Sequence, residues 1–358
     1  MAVSGERDSD GTGSAGGGPP DGFGGELFRI AVVPAWVALA AVAVAAALGV
    51  GADLPPVVRY LPFLASFVAF GLPHGAADHL AVARLGGSRP LAAVGAVYLL
   101  GGAVTLAVWL TSPALGFASF LLLTVYHWGQ GDLYVLLAVG GDHLRTRGQR
   151  LLALAVRGGI PMVVPLVAFP GVYRSVAEAT IRLFDSDLVT ATTLDAAFRP
   201  EVRFALGGGL AALSLVAVGV GVVRGSGWTD RGWRIDALET ALLWAYFLVV
   251  PPVLAVGLYF CLWHSVRHVA RLLVVENDGG ESLAGGRIAP AVAGFARDAL
   301  PNTVGALVVL AGLASVAPPD ANPASLLGLY LVLLAVLTLP HTAVVTWMDL
   351  REGVWSAE

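Results

Sequence analysis

Two histidines, His264 and His268, stand one helical turn apart in the apolar run GLYFCLWHSVRHVARLLVV, residues 257–275. Residues at i and i+4 share one face of an α-helix, so this spacing offers two imidazoles to one metal ion. Imidazole ligands suit iron, copper or zinc. The run HSVRH has no glutamate to serve as a general base, which argues against a zinc-protease helix of the HExxH kind. Arg267, next to His268, is offset by about 100° around the helix and suits a reach towards the membrane interface.

Four more histidines lie in apolar stretches: His74, His79, His127 and His341. The seventh, His143, belongs to the polar segment GGDHLRTRGQR and reads as solvated. Ionisable groups inside a membrane are costly and usually face the bundle interior. One such histidine alone reads as well as a hydrogen-bonded packing residue. Six of them on four segments point to a shared centre.

A metal-bound imidazole donates its second nitrogen to an outer acceptor. Asp78, four residues after His74, is placed to provide that bond, and Gln130, Asp132 and Asp349 are comparable candidates. His79 follows His74 by five residues, about 140° around a helix, so the two are not expected on one ion.

The elements that must position these groups are membrane helices. The chain of 358 residues is 57% hydrophobic and 13% charged, against about 25% charged in an average soluble domain. That composition predicts an all-α, polytopic integral membrane bundle. The net charge of -4 says little about partners, but no basic patch suits nucleic acid, so no nucleic-acid partner is expected; the lipid bilayer is the expected surroundings. All 21 basic residues are arginine, so no lysine can form a Schiff base with retinal, and an opsin-type pump is excluded. The single cysteine, Cys261, excludes an internal disulfide and a cysteine metal cluster.

Apolar stretches predict spans near 29–51, 57–83, 91–110, 114–139, 150–170, 203–223, 297–316 and 325–348. Residues 236–275 form a further stretch broken by Pro251-Pro252, which must end or kink a helix. Nine or ten transmembrane segments are expected. Residues 1–26, rich in Gly, Ser and Asp, read as a disordered tail without the features of a signal peptide. Residues 27–350 form the transmembrane domain and 351–358 a C-terminal tail. Residues 171–202 are more polar and suit a loop with a surface helix. Arginines cluster at 84–90, 140–150 and 224–235, which by the positive-inside rule places those loops and the amino terminus in the cytoplasm.

Four motifs then occur in order: GLPHGAADH (Gly71–His79), YHWGQGD (Tyr126–Asp132), WHSVRH (Trp263–His268) and LPHTAVVTWMD (Leu339–Asp349). Together they resemble the Brp/Blh family of membrane-bound β-carotene 15,15'-dioxygenases, over roughly residues 57–350. The resemblance implies a multi-pass protein of the cell membrane that holds a non-haem Fe(2+). It implies cleavage of β-carotene by O2 into two all-trans-retinal, with His74, His127, His264 and His268 as the metal ligands. His341 belongs to a family motif and is placed near the site, not among the ligands. Many relatives carry an acidic residue where Gln130 stands and Phe where Trp128 stands. The product links such an enzyme functionally to a retinal-binding opsin.

The residues agree with that chemistry in one respect of their own. Splitting an unactivated C=C bond with O2 needs a redox metal, and zinc is redox-inert. Between iron and copper only the resemblance decides. Tyr126, Trp128, Tyr259, Trp263 and Trp347, beside the histidines, are candidates for a groove holding the polyene; taken singly, each reads better as helix packing or an interfacial aromatic. Two rival readings remain. A histidine-box oxygenase of the desaturase kind would hold two irons, though this chain lacks an HH pair. A transporter or proton relay would use the histidines as titrating groups and bind no metal.

Overall fold

The computed structural model describes residues 23–51, 53–67, 71–86, 90–184, 194–225, 227–275 and 287–356. Among these residues all regular structure is helical and no strand occurs. The chain opens with α1 (Phe23–Leu27), passes a π-helical turn (Phe28–Val32) and continues as α2 (Val33–Ala47). Three short pieces follow: α3 (Pro56–Ser66), α4 (Gly71–Ala76) and α5 (Asp78–Gly86). Next come α6 (Pro90–Thr111), α7 (Pro113–Ala138), α8 (Arg147–Ala168), α9 (Pro170–Ile181), α10 (Pro200–Arg224) and α11 (Arg231–Val249). α12 (Pro252–Leu258) runs through a second π-helical segment (Tyr259–Ser265) into α13 (Val266–Val275). α14 (Ile288–Val316) and α15 (Pro323–Arg351) complete the bundle.

Local chemistry accounts for many of these boundaries. Proline opens α6, α7, α9, α10, α12 and α15, where its missing N–H is one the helix would leave unpaired. Thr146 and Gln149 form a reciprocal capping box at the start of α8. Asp230 caps α11 by accepting from the Trp233 N–H at 2.9 Å. Pro251-Pro252 separates α11 from α12, so the stretch 236–275 forms two helices that meet at the proline pair.

Among the described residues, eight helical stretches are long and apolar enough to cross a bilayer: Gly24–Ala47, Val57–Ala83, Ala92–Thr111, Arg147–Ala168, Pro200–Arg224, Pro252–Leu273, Ile288–Val316 and Pro323–Arg351. α7 has 26 residues, about 39 Å at 1.5 Å each, enough for a hydrocarbon core of about 30 Å. It carries His127, Gln130 and Asp132, which lower its apolar character. Large apolar side chains such as Leu99, Leu122, Leu215, Val223 and Val308 point outwards, while Asp132, Arg157, Asp236, Glu239 and Arg267 are buried. That inversion suits a polytopic bundle in lipid.

α7 occupies the middle, against α6, α8, α13 and α15. Its approach to α8 is set by two glycines. A Cβ on Gly158 would lie 1.7 Å from the Val125 carbonyl oxygen, and one on Gly129 would lie 2.1 Å from that of Leu154. Only hydrogen atoms fit between these backbones.

The tail boundaries differ in part from expectation. Residues 1–22 lie outside the described residues, but Phe23–Leu27 is helical and Leu27 is buried. At the other end, Val354 is buried and its carbonyl accepts from Arg150 Nη1 at 2.6 Å, while the Trp355 carbonyl accepts from Arg147 Nε at 3.1 Å. The C-terminal residues are thus packed against the start of α8. The expected surface helix within 171–202 is α9, which packs on α15; residues 185–193, and Arg89 of the 84–90 loop, lie outside the described residues.

Candidate metal centre

Five buried imidazoles converge from four parts of the chain: His74 from α4, His127 from α7, His264 and His268 around the start of α13, and His341 from α15. The ring of His74 lies 5.4 Å from that of His264, 5.4 Å from that of His268 and 5.0 Å from that of His341, between centroids. The His127 ring lies 4.7 Å from that of His264 and 4.6 Å from that of His341. His127 Nε2 and His264 Nε2 face each other at 3.0 Å. Candidate ligand atoms of His74, His127 and His264 all lie within 4.8 Å of one another, and so do those of Asp78, His268 and His341.

The unmet hydrogen-bonding capacity here suits a cation. His268 Nε2 and His341 Nε2 are buried and have no hydrogen-bond partner, a cost of about 1–3 kcal/mol each unless something else engages them. The lone cysteine is not part of the cluster; its thiol donates to the Pro62 carbonyl at 3.2 Å. The donor set is therefore nitrogen-rich and thiolate-free, which fits iron, copper or zinc.

The outer bonds differ from the sequence expectation. Asp78 does not bond His74. α4 ends at Ala76 and α5 begins at Asp78, so the break at Ala77 destroys the i+4 relation that expectation assumed. Asp78 Oδ2 instead accepts from His341 Nδ1 at 2.8 Å and from the Tyr98 hydroxyl at 2.7 Å. His74 Nδ1 bonds the Gly71 carbonyl of its own helix. Gln130 Nε2 donates to Thr346 Oγ1 at 3.1 Å. His79 turns away towards Asn302 of α14, 3.1 Å between Nδ1 and Nδ2. Asp349 pairs with Arg271 at 2.7 Å.

Asp132 belongs to a buried ionic network beside the rings. Its Oδ1 accepts from Trp263 Nε1 at 2.8 Å and from Arg267 Nη1 at 3.1 Å. Arg267 also pairs with Glu239 and lies over the Trp263 ring, 3.7 Å from its centroid. Arg157 joins Glu239 at 3.0 Å and Asp236 at 2.9 Å, and Trp36 Nε1 donates to Glu239 at 2.7 Å. Two sequence expectations fail at this network. Arg267 does not reach the interface: it is 2% exposed, because two acidic groups inside the bundle, Asp132 and Glu239, provide partners. His143 is not solvated: it is 0% exposed, with Nε2 3.1 Å from Asp236 Oδ2. Nothing in the polarity of the surrounding loop reveals an acidic partner 93 residues away.

The rings of His74, His127, His264 and His341 form part of the wall of a cavity of about 890 Å³, within the range of small-molecule sites. Apolar side chains dominate it, among them Phe117, Phe120, Trp128, Met162, Phe260 and Leu334. Of the five aromatic candidates for the groove, Trp128 lines it. Tyr126, Tyr259, Trp263 and Trp347 do not: Tyr126 bonds Thr346 at 3.2 Å, Tyr259 and Trp263 are fully buried in packing, and Trp347 lies against Arg351. Phe260 and Tyr98 were missed by the sequence reading. Phe260 lies four residues before His264, a signal that was available; Tyr98, far from every motif, gave none. Leu99 of α6 and Val309 of α14 line the cavity and are exposed.

Comparison with known proteins identifies a family for the chain. A family model described as Beta-carotene 15,15'-dioxygenase matches residues 65–349. A protein of Halobacterium salinarum named "Probable beta-carotene 15,15'-dioxygenase Blh" is 46% identical over 337 residues, covering 92% of this chain and 94% of its own. The "Probable beta-carotene 15,15'-dioxygenase Brp" of that organism is 36% identical over 337 residues, covering 89% and 92% respectively. No solved structure matches significantly. All four histidine motifs fall within or beside the matched region, and the chain belongs to the β-carotene 15,15'-dioxygenase family.

Proposed function

We propose that this chain is a non-haem iron dioxygenase that cleaves β-carotene at its central 15,15' double bond with O2, giving two all-trans-retinal. The observation that carries the reading is the convergence of buried imidazoles, without a thiolate, beside a cavity lined mostly by apolar side chains. His74, His127, His264 and His268 would hold the ion. Ferrous iron supplies a redox centre able to bind O2, which no side chain here offers.

The chain's own contribution is placement and exclusion of water. A polyene has no polar handle, so shape must align its reacting bond with the rings. Phe260 and Trp128 flank the His264 ring, 6.3 and 5.6 Å between centroids, and set the wall on that side. Entry between helices would admit a hydrocarbon directly from the bilayer, and no acid or base need act. On this reading the protein resides in the cell membrane, and retinal as product would tie the enzyme to a retinal-binding opsin.

Co-expression in β-carotene-producing cells tests this. The orange colour should fade, and C20 aldehyde should be recovered by mass spectrometry. Purified protein should carry about one iron per chain and lose activity to an iron chelator. Colour retained with full membrane insertion, or activity that survives chelation, would overturn the assignment. Two irons per chain would favour a desaturase-like centre.

A further inference from the structure

The cluster contains one imidazole more than the four assigned above. We propose that His341 is a fifth ligand of the same ion, held in its metal-binding tautomer by Asp78, itself fixed by Tyr98. The proposal rests on reading the cluster as a metal centre.

The tautomer follows from the partner. A carboxylate only accepts hydrogen bonds, so the 2.8 Å contact with Asp78 Oδ2 places the proton of a neutral His341 ring on Nδ1. Nε2 then carries a lone pair. It is buried and has no hydrogen-bond partner. An imidazole that donates one nitrogen to a carboxylate and presents the other bare is the usual state of a metal-bound histidine. The Tyr98 hydroxyl, 2.7 Å from the same Oδ2, holds the carboxylate in place. If His341 were only a packing residue, the Asp78 bond would satisfy one nitrogen and leave the other buried and unpaired.

Position separates a shared ion from a second one. A ring serving a separate ion with Asp78 and His268 should stand clear of the other rings. The nearest ring to His341 is instead that of His127, at 4.6 Å, with His74 and His268 both at 5.0 Å. His341 thus borders both groups of potential ligands. Asp78 Oδ2 is occupied by two hydrogen bonds and acts through His341, as a positioning residue.

The test is Co(II) titration of the full-length, metal-depleted protein in lipid nanodiscs, followed by visible absorption, with His341→Ala, His341→Gln and Asp78→Asn. Wild type should take up one equivalent. His341→Ala should bind at least about 100-fold more weakly with an altered spectrum, restored towards wild type by added imidazole. Asp78→Asn keeps the ring but loses its orientation, and should weaken binding by about 10–100-fold. If His341→Ala does not fold, the Gln and Asn variants carry the test. Wild-type affinity and spectrum in folded His341 variants would overturn the fifth ligand and leave the metal reading standing. Two equivalents in wild type, falling to one in His341→Ala, would assign His341 to a second ion and overturn the shared centre. No Co(II) or Fe(II) binding by wild type would overturn the metal reading itself.

Discussion

Arg267 Nη1 lies 3.1 Å from Asp132 Oδ1, and this contact joins the helix that bears His268 to the helix that bears His127. Arg267 is adjacent to one ring-bearing residue and Asp132 is five residues from another. The pair fixes the two backbones where their imidazoles must meet. Removing one partner of a buried ion pair leaves an uncompensated charge and costs about 3–5 kcal/mol. Arg267→Leu is therefore expected to unfold at markedly lower temperature in detergent. A melting profile equal to wild type would deny the network a structural role.

His264→Ala and His268→Ala are expected to abolish retinal formation while inserting into the membrane normally. Immunoblots of membrane fractions and chromatography of cell extracts measure the two quantities separately. Normal retinal yield from either variant would remove the metal assignment.

His143→Ala, expected to be silent when His143 is read as a loop residue, should instead reduce stability by about 1–3 kcal/mol, because Asp236 loses a buried partner. Turnover per folded molecule should hold. Unfolding curves and specific activity of purified protein distinguish these effects.

Ala306→Trp places a large side chain in the cavity from α14, a helix that bears none of the five rings. Its expected effect is a fall in β-carotene turnover of roughly 100-fold through misplacement of the polyene, with iron content unchanged. Equal turnover would show that the substrate binds elsewhere.

Gly158→Ala drives a methyl group to 1.7 Å from the Val125 carbonyl oxygen. Because that atom is backbone, the helices themselves must part, and His127 moves with α7. Loss of folded protein or of bound metal is expected; a folded variant with wild-type Co(II) spectrum would contradict this packing.

Much of the site was legible because its histidines lie in apolar runs, where a polar ring needs a reason to exist. His74, His127, His264 and His268 stand out on that ground, and the proline pair at 251–252 marked a true helix boundary. Partnerships were less legible. The i+4 rule tied Asp78 to His74 only if the helix continued, and a single turn residue, Ala77, redirected the carboxylate to His341. The burial of Arg267 and His143 depended on acidic groups of α11, distant in sequence. The aromatic residues next to the histidines part for a related reason: different directions around their helices send Trp128 to the cavity and Trp263 to Asp132.

The π-helical segment Tyr259–Ser265 changes the angular bookkeeping of α12–α13. Such a widened turn accommodates an additional residue without a matching gain in length. It lets Trp263 engage Asp132 while its immediate neighbour, His264, meets His127. Deleting a single residue there would restore an ordinary spiral with the flanking turns little displaced, but Trp263 and His264 would lose the spacing that lets one meet Asp132 and the other His127. The segment therefore acts as a phase adjuster, with the reach of both neighbours set by one residue's worth of slack.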